Sequence, residues 1–218
     1  MLFSLGQVLG LLCNPAESTR KAYSIPCRSP AGRADNFCLE IALRSEVFDR
    51  KTFNIFSTFM EWSYGGMDIR VLDSGDLNEA LELVWTVFSE FEAPDYSAEG
   101  IDTFRAFISY DCVSGMLADG SLRLWGCYIG EVLTGVIAAR GPGHISLLFV
   151  SKEYQRRGIA RALFAVLEEY CRASGADAIT VNSSPYAVDI YHRLGFISTD
   201  KETVTNGIRF TPMRYAVD

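Results

Sequence analysis

The chain has 218 residues, 49% of them hydrophobic and 22% charged, with a formal net charge of −7. That balance belongs to a folded chain able to bury a sizeable core, and the acidity argues against a nucleic-acid surface. Six cysteines (13, 27, 38, 112, 127 and 171) lack CxxC spacing and only two histidines are present. Neither a disulfide framework nor a metal-ligand cluster is indicated, and free thiols suit a reducing cytoplasm.

The first twelve residues look superficially like the apolar core of a signal peptide. No Lys or Arg precedes them, Leu12 before Cys13 spoils a small-residue cleavage box, and Ser4, Gly6 and Gln7 interrupt a run too short to span a bilayer. Neither export nor membrane anchoring is expected. Residues 1–66 organise poorly: Pro15, Pro26 and Pro30 punctuate the first half, and the short apolar runs over 38–62 lack clean caps. The character changes at Met67, where residues 67–72 alternate like a strand. The expectation is one domain over 67–218, behind a 1–66 segment that is a mis-assigned start, a poorly organised appendage or a genuine interaction segment.

Within that domain, residues 77–91 present a helical stripe of Ala80, Leu81, Leu83, Val84, Val87, Phe88 and Phe91. Ser97 is placed to N-cap a second helix through Ile101, Phe104, Phe107 and Ile108. Strands at 123–128 and 131–140 meet at Ile129-Gly130 as a hairpin, and Gly141-Pro142-Gly143 turns into an apolar strand at 145–150. A helix over 158–174 follows, with Ile159, Ala162, Leu163, Val166, Leu167 and Tyr170 on one face. A strand at 178–181 leads to a helix at 185–194, with Ser184 as its N-cap, Pro185 at its first position and Gly195 just past its end. Two closing strands, 196–201 and 208–215, flank the turn signal Asn206-Gly207. The order reads β–α–α–β–β–β–α–β–α–β–β.

Between the apolar strand and its helix lies Gln155-Arg156-Arg157-Gly158-Ile159-Ala160-Arg161. Gly158 lets the backbone turn, Ala160 keeps the next wall small, and the free N–H groups of the first helical turn stand beside Arg156, Arg157 and Arg161. Orphan donors, a helix dipole of roughly half a positive charge and guanidinium groups make an anion site suited to phosphate. An ordinary βα unit with solvated arginines is the bland alternative. The turn is no P-loop, because no Gly-Lys-Ser/Thr closes it, and no dinucleotide fingerprint, because only one Gly is present.

With Gln155, Gly158 and Ala160, this stretch resembles the Gln/Arg-x-x-Gly-x-Gly/Ala signature of the GNAT superfamily of N-acetyltransferases. A second GNAT feature follows as Tyr191-His192-Arg193-Leu194-Gly195-Phe196, about thirty-five residues on, and two motifs in order carry far more than either alone. The resemblance covers 67–218 and implies an α/β fold of the α+β type: a mixed, mostly antiparallel sheet flanked by helices. It implies acetyl-CoA as acyl donor, no metal, and a primary amine of a small molecule or protein as acceptor. No nucleic-acid or membrane partner is implied, and GNAT domains often form homodimers through their terminal strands.

By the same resemblance, the backbone N–H groups of Arg156, Arg157, Gly158, Ile159 and Ala160 hold a pyrophosphate, with Gln155 in the signature and Arg161 close by. Main-chain groups of Leu148, Phe149 and Val150 pair with the pantetheine arm, and Asn182 meets its amides or merely ends its strand. Tyr191 is expected to protonate the departing thiolate; packing beside Ala187 and Leu194 is the competing reading. From Asp73 to Asp111 ten acidic residues face one basic residue, Arg105. Acidic groups there would attract a cationic amine, with Glu92 the first candidate for its base; solvated helix faces are the alternative. A non-catalytic acyl-CoA-binding regulatory module on the same fold is the rival function.

Overall fold

The computed structural model describes residues 62–64 and 66–217. The expectations for residues 1–61 lie outside the described residues. The described chain forms a nine-stranded sheet in the order β1-β2-β3-β4-β5-β6-β9-β7, with β8 paired to β9 off that path. In chain order the elements are β1 (Trp62–Tyr64), β2 (Met67–Val71), α1 (Leu77–Phe91), α2 (Ala98–Phe107), α3 (Tyr110–Ala118), β3 (Leu122–Ile129), β4 (Val132–Arg140), β5 (His144–Val150), α4 (Ile159–Ala173), β6 (Ala178–Ser183), α5 (Val188–Leu194), β7 (Ile197–Ser198), β8 (Thr203–Thr205) and β9 (Ile208–Ala216). The sheet is antiparallel except where β5 meets β6.

Helices cover both faces. α1, α2 and α3 pack through Leu81, Val84, Phe88, Phe104 and Met116 onto Leu124, Val136, Ala138, Leu147 and Phe149. α4 and α5 pack through Leu163, Leu167 and Tyr191 onto Trp125, Ile137, Ala139, Ile145 and Val181 on the opposite face. The central strands β3, β4 and β5 serve both cores by alternation, the period-2 signature of strands buried on both sides. The α4 stripe read from spacing is the buried one, with Phe164 and Cys171 buried beside it. No helix of the described residues is long and apolar enough to cross a membrane.

Local signals placed several boundaries. Ser97 Oγ accepts from Gly100 N at 3.2 Å and caps α2. Gly195 ends α5 at φ 101°, and Asn206 and Gly207, at φ 51° and 75°, make the turn between β8 and β9. Other expectations are corrected. α3 was not foreseen, and its sequence buries only Val113 and Met116. The expected strand over 196–201 forms only at Ile197–Ser198, and a further short strand, β8, follows the exposed Asp200-Lys201-Glu202. Ser184 makes no side-chain cap; its carbonyl accepts from Ala187 N at 3.0 Å, in a 3₁₀ turn (Pro185–Ala187) that precedes α5.

Two bulges bend the central strands. On β4, Thr134 is the extra residue opposite Cys127 and Tyr128, and its Oγ1 donates to the Cys127 carbonyl at 2.9 Å. On β5, Ala138 pairs with Leu147 and Ala139 with Ile145, which leaves Ser146 as the extra residue. Ile145 and Leu147 therefore enter opposite cores although they are two residues apart.

The turn between β8 and β9 is seated on the first turn of α2. Thr103 Oγ1 donates to the Asn206 carbonyl at 3.4 Å, and a Cβ at Gly100 would collide with the Gly207 carbonyl. Gly100→Ala is expected to overpack this junction by about 2 kcal/mol and to lower Tm by about 4–8 °C. Gly115→Ala, in open space on α3, is expected to hold or raise Tm. A thermal melt in which both variants match the parent would remove the close contact.

Candidate active site

The site begins where the sheet parts. β5 and β6 are its one parallel pair, and they pair only at His144↔Thr180 and Ile145↔Val181. Beyond the Ser146 bulge the strands diverge, and the β5 backbone from Leu147 to Val150 keeps partners on its β4 side alone. Main-chain donors and acceptors that face a gap must find partners there. A gap of this kind accepts an extended ligand as an added strand.

At the open end the chain turns from Val150 through a 3₁₀ turn (Lys152–Tyr154) into α4. Gln155 Nε2 donates to the Val150 carbonyl at 3.2 Å and fastens this turn. Arg156 and Gly158 both take positive φ, 62° and 87°. Backbone of alternating hand turns successive N–H groups to one side and makes an anion-binding nest at the start of a helix. Arg156 accepts about 1 kcal/mol of left-handed strain that Gly158 escapes.

These elements enclose a cavity of about 630 Å³ between α1, β5, α4 and α5. It is lined by the expected Leu148, Phe149, Val150, Gln155, Arg156, Gly158, Ile159, Ala160 and Arg161, and by Glu92 and Tyr191. Arg157 is not in the lining: its guanidinium donates to the Glu153 carbonyl at 3.0 Å and lies 4.9 Å over the Tyr154 ring. Its side-chain role is corrected accordingly, since two left-handed neighbours send successive side chains apart. Arg193, which sequence reasoning passed over, lines the cavity from α5 with Ile190 and Leu194. At the rim Phe91 and Tyr186 stack with centroids 5.2 Å apart, and Lys152 pairs with Glu90.

A second chamber of about 80 Å³ adjoins the first. Glu92, Leu148, Phe149, Ala187 and Tyr191 belong to both linings. The smaller one adds Tyr96, Phe104 and Phe107 from the α1–α2 side, Ser146 from β5, and Asn182 and Ser184 from the β6 end. Asn182 thus lines the small chamber and is absent from the lining of the large one.

Glu92 and Tyr191 stand in the shared wall. Glu92 closes α1, its N–H donating to the Phe88 carbonyl at 2.9 Å before Pro94 stops the helix. Burial raises its carboxyl to about 7; the Ser184 hydroxyl opposes the rise and the charge of Asp95 adds to it. That hydroxyl is buried and completes no well-formed hydrogen bond, so it acts on Glu92 as a nearby dipole that can turn. Tyr191 is 5% exposed and packs edge-on against Phe196 at 5.2 Å. Burial holds its phenol well above the usual range and the Glu92 charge adds to this, so it stays protonated at physiological pH. Packing and a position on the reaction wall are therefore both true of Tyr191. Tyr96 is raised in the same way by burial, then by Glu92 and Asp95. A carboxyl poised near neutrality beside a protonated phenol is an acid–base pair at the meeting point of two chambers.

Comparison with known proteins follows the same lines. The family model of the GNAT acetyltransferase domain matches residues 92–217. A GCN5-related N-acetyltransferase from Rhodopseudomonas palustris is 20% identical with a TM-score of 0.60, over 71% of this chain and 98% of that one. The PaiA N-acetyltransferase from Thermoplasma acidophilum, solved in complex with coenzyme A, is 18% identical with a TM-score of 0.59, over 69% and 98%. Ard1 from Thermoplasma volcanium is 15% identical with a TM-score of 0.53, over 70% and 98%. At these identities the likeness establishes the fold, and no curated protein matches the sequence. The family match spans more than half of the 218 residues, and the chain belongs to the GNAT family of acetyltransferases.

Proposed function

We propose that the protein transfers the acetyl group of acetyl-CoA to a primary amine of a small molecule or protein, directly, with both substrates bound together. The observation that carries this reading is the shared wall: the larger cavity fits an extended donor, the smaller one an acceptor, and Glu92 and Tyr191 stand where they join. The donor fit rests on residues of this chain. The nest at Arg156–Gly158 and the start of α4 would take the pyrophosphate, with Arg161 and Arg193 beside it. The backbone of Leu148, Phe149 and Val150 would pair with the pantetheine arm in the gap.

In the transfer, the amine nitrogen forms a bond to the thioester carbon and the carbon–sulfur bond breaks. The amine must first be neutral, and Glu92, ionised above about pH 7, takes its proton directly or through water. Charge gathering on the carbonyl oxygen is met by a β5 main-chain N–H turned into the gap. Charge gathering on sulfur is met by the Tyr191 hydroxyl. Because its phenol is raised by burial, Tyr191 acts first as a hydrogen-bond donor and releases its proton to the thiolate as that charge develops; the nitrogen gives its second proton to water as the amide forms, and water returns a proton to the phenolate.

For the parent enzyme kcat/KM rises about tenfold per pH unit up to about pH 7 and then levels, because the base is protonated below that point. Glu92→Gln loses that limb and roughly 10²–10³-fold of rate, and Tyr191→Phe loses about 10–100-fold in kcat with CoA affinity retained. Acetyl-CoA binding with no turnover on any amine of a broad panel would instead favour the regulatory module. In calorimetric titrations with CoA, Arg161→Ala and Arg193→Ala are each expected to weaken binding about three- to tenfold. Arg157→Ala, whose guanidinium is held by Glu153 and Tyr154, is expected to change it less than about twofold.

A further inference from the structure

The small chamber has a polar group that the transfer chemistry does not use. Beside Phe107, Ile145 and Leu147 its lining carries Ser146. As the bulge residue of β5, Ser146 has no cross-strand partner to fix its place, and its Oγ accepts from Arg140 Nε at 2.9 Å. With that lone pair engaged, the hydroxyl keeps its own proton to give, and no acceptor among the described residues takes it.

Arg140 stands directly behind this wall, half-buried, with its guanidinium 5.6 Å over the ring of Phe107. No carboxylate of the described residues pairs with it. Burial pulls its pKa below the usual arginine range, and only the Cys112 thiol pushes the other way. Its neighbour His144, whose Nδ1 is 2.9 Å from Thr180 Oγ1, is held to about 4 by burial and by Arg140, so it is neutral and supplies no negative charge. A guanidinium withdrawn from water without a counter-ion is unfavourable unless an anion completes it.

We propose that Ser146 and Arg140 form the anion-reading end of the acceptor chamber, and that the acceptor is a small amine that also carries a carboxylate. This deepens the acetyltransfer reading and rests on it. The amine lies against Glu92 and Tyr191. The carboxylate accepts the Ser146 Oγ–H, and the charge of Arg140 behind it compensates the anion. A chamber of about 80 Å³ suits a short acceptor, with amine and carboxylate one or two carbons apart. A lysine side chain brings a long apolar stem and no anion. A protein N-terminus brings a carbonyl where the carboxylate should be.

The test uses the full chain with acetyl-CoA and a matched panel: glycine, alanine and β-alanine; methylamine and ethylamine; glycinamide and alaninamide; and an alanine-led peptide. The carboxylated amines are expected to exceed the matched amines and amides by about a hundredfold or more in kcat/KM, the scale set when a site's polar group is left unpaired. Arg140→Gln raises KM for alanine by about tenfold while shifting KM for ethylamine less than about twofold, and Arg140→Lys restores part of the loss. Ser146→Ala acts in the same direction. CoA affinity, measured on each variant, reports that the fold is intact.

Equal or better use of ethylamine, alaninamide or the peptide overturns the inference, as does an Arg140→Gln loss shared by every acceptor. Titration of alanine into the CoA-loaded protein separates this failure from that of the transfer reading. Binding that needs Arg140 without any turnover would sink acetyltransfer and keep the anion-reading end. Turnover restricted to uncharged amines, or no binding of any carboxylated amine, would sink the anion-reading end.

Discussion

The site depends on two strands that stop pairing. In a sheet otherwise closed by antiparallel ladders, β5 and β6 share two residue pairs and then part. The Ser146 bulge is the mechanical cause, because an extra residue bends its strand and raises the local twist. The result is a row of backbone groups in the middle of a nine-stranded sheet, where an edge would normally be a liability. Helices on both faces restrict access to that row, so a strand-like ligand is admitted through the open end and another chain's edge is not.

The second consequence is electrostatic. The parting leaves a cleft deep enough to strip water from Glu92 and Tyr191, and in both cases burial is the largest cause of the raised pKa. The same desolvation has opposite uses. It makes the carboxyl a stronger base near neutrality, and it keeps the phenol protonated. Each also acts on the other, since an ionised Glu92 raises Tyr191 further. Once Glu92 has taken a proton that charge is gone, and the phenol gives up its own more readily. Under the proposed transfer, base and acid are thereby ordered in time by a single shared environment.

What was legible in the sequence was local. The α4 stripe, the Ser97 cap, Gly195 and the Asn206-Gly207 turn each depend on residues within one or two turns of themselves, and each lies where spacing put it. What was not legible joins distant segments. Glu92 was the first candidate among ten acidic residues by resemblance alone, and the groups with which it interacts, Ser184 and Tyr191, lie about a hundred residues later. Arg193 gave no signal of its own, because a seven-residue helix offers too little period to assign its faces. Ser146 sits in an apolar run whose alternation gives no hint that one residue is supernumerary. The bulge is fixed by the partner strand β4, so it has no signature in β5 alone.

Arg156 and Arg157 show how finely backbone hand divides neighbouring residues. They are adjacent and chemically identical, and composition cannot rank them. Arg156 takes φ 62° and lines the cavity, whereas Arg157 folds back onto Tyr154 and the Glu153 carbonyl. A non-glycine residue adopts left-handed backbone only where its surroundings over-determine it. Here the Gln155–Val150 hydrogen bond fixes the chain before the turn, and burial of Ile159 fixes it after. Held at both ends, the intervening residues close the loop with positive φ at Arg156 and Gly158, a backbone pattern that gathers successive N–H groups on one side. The strain at Arg156 and the anion nest are one geometric fact, set by the packing of a strand and a helix on either side.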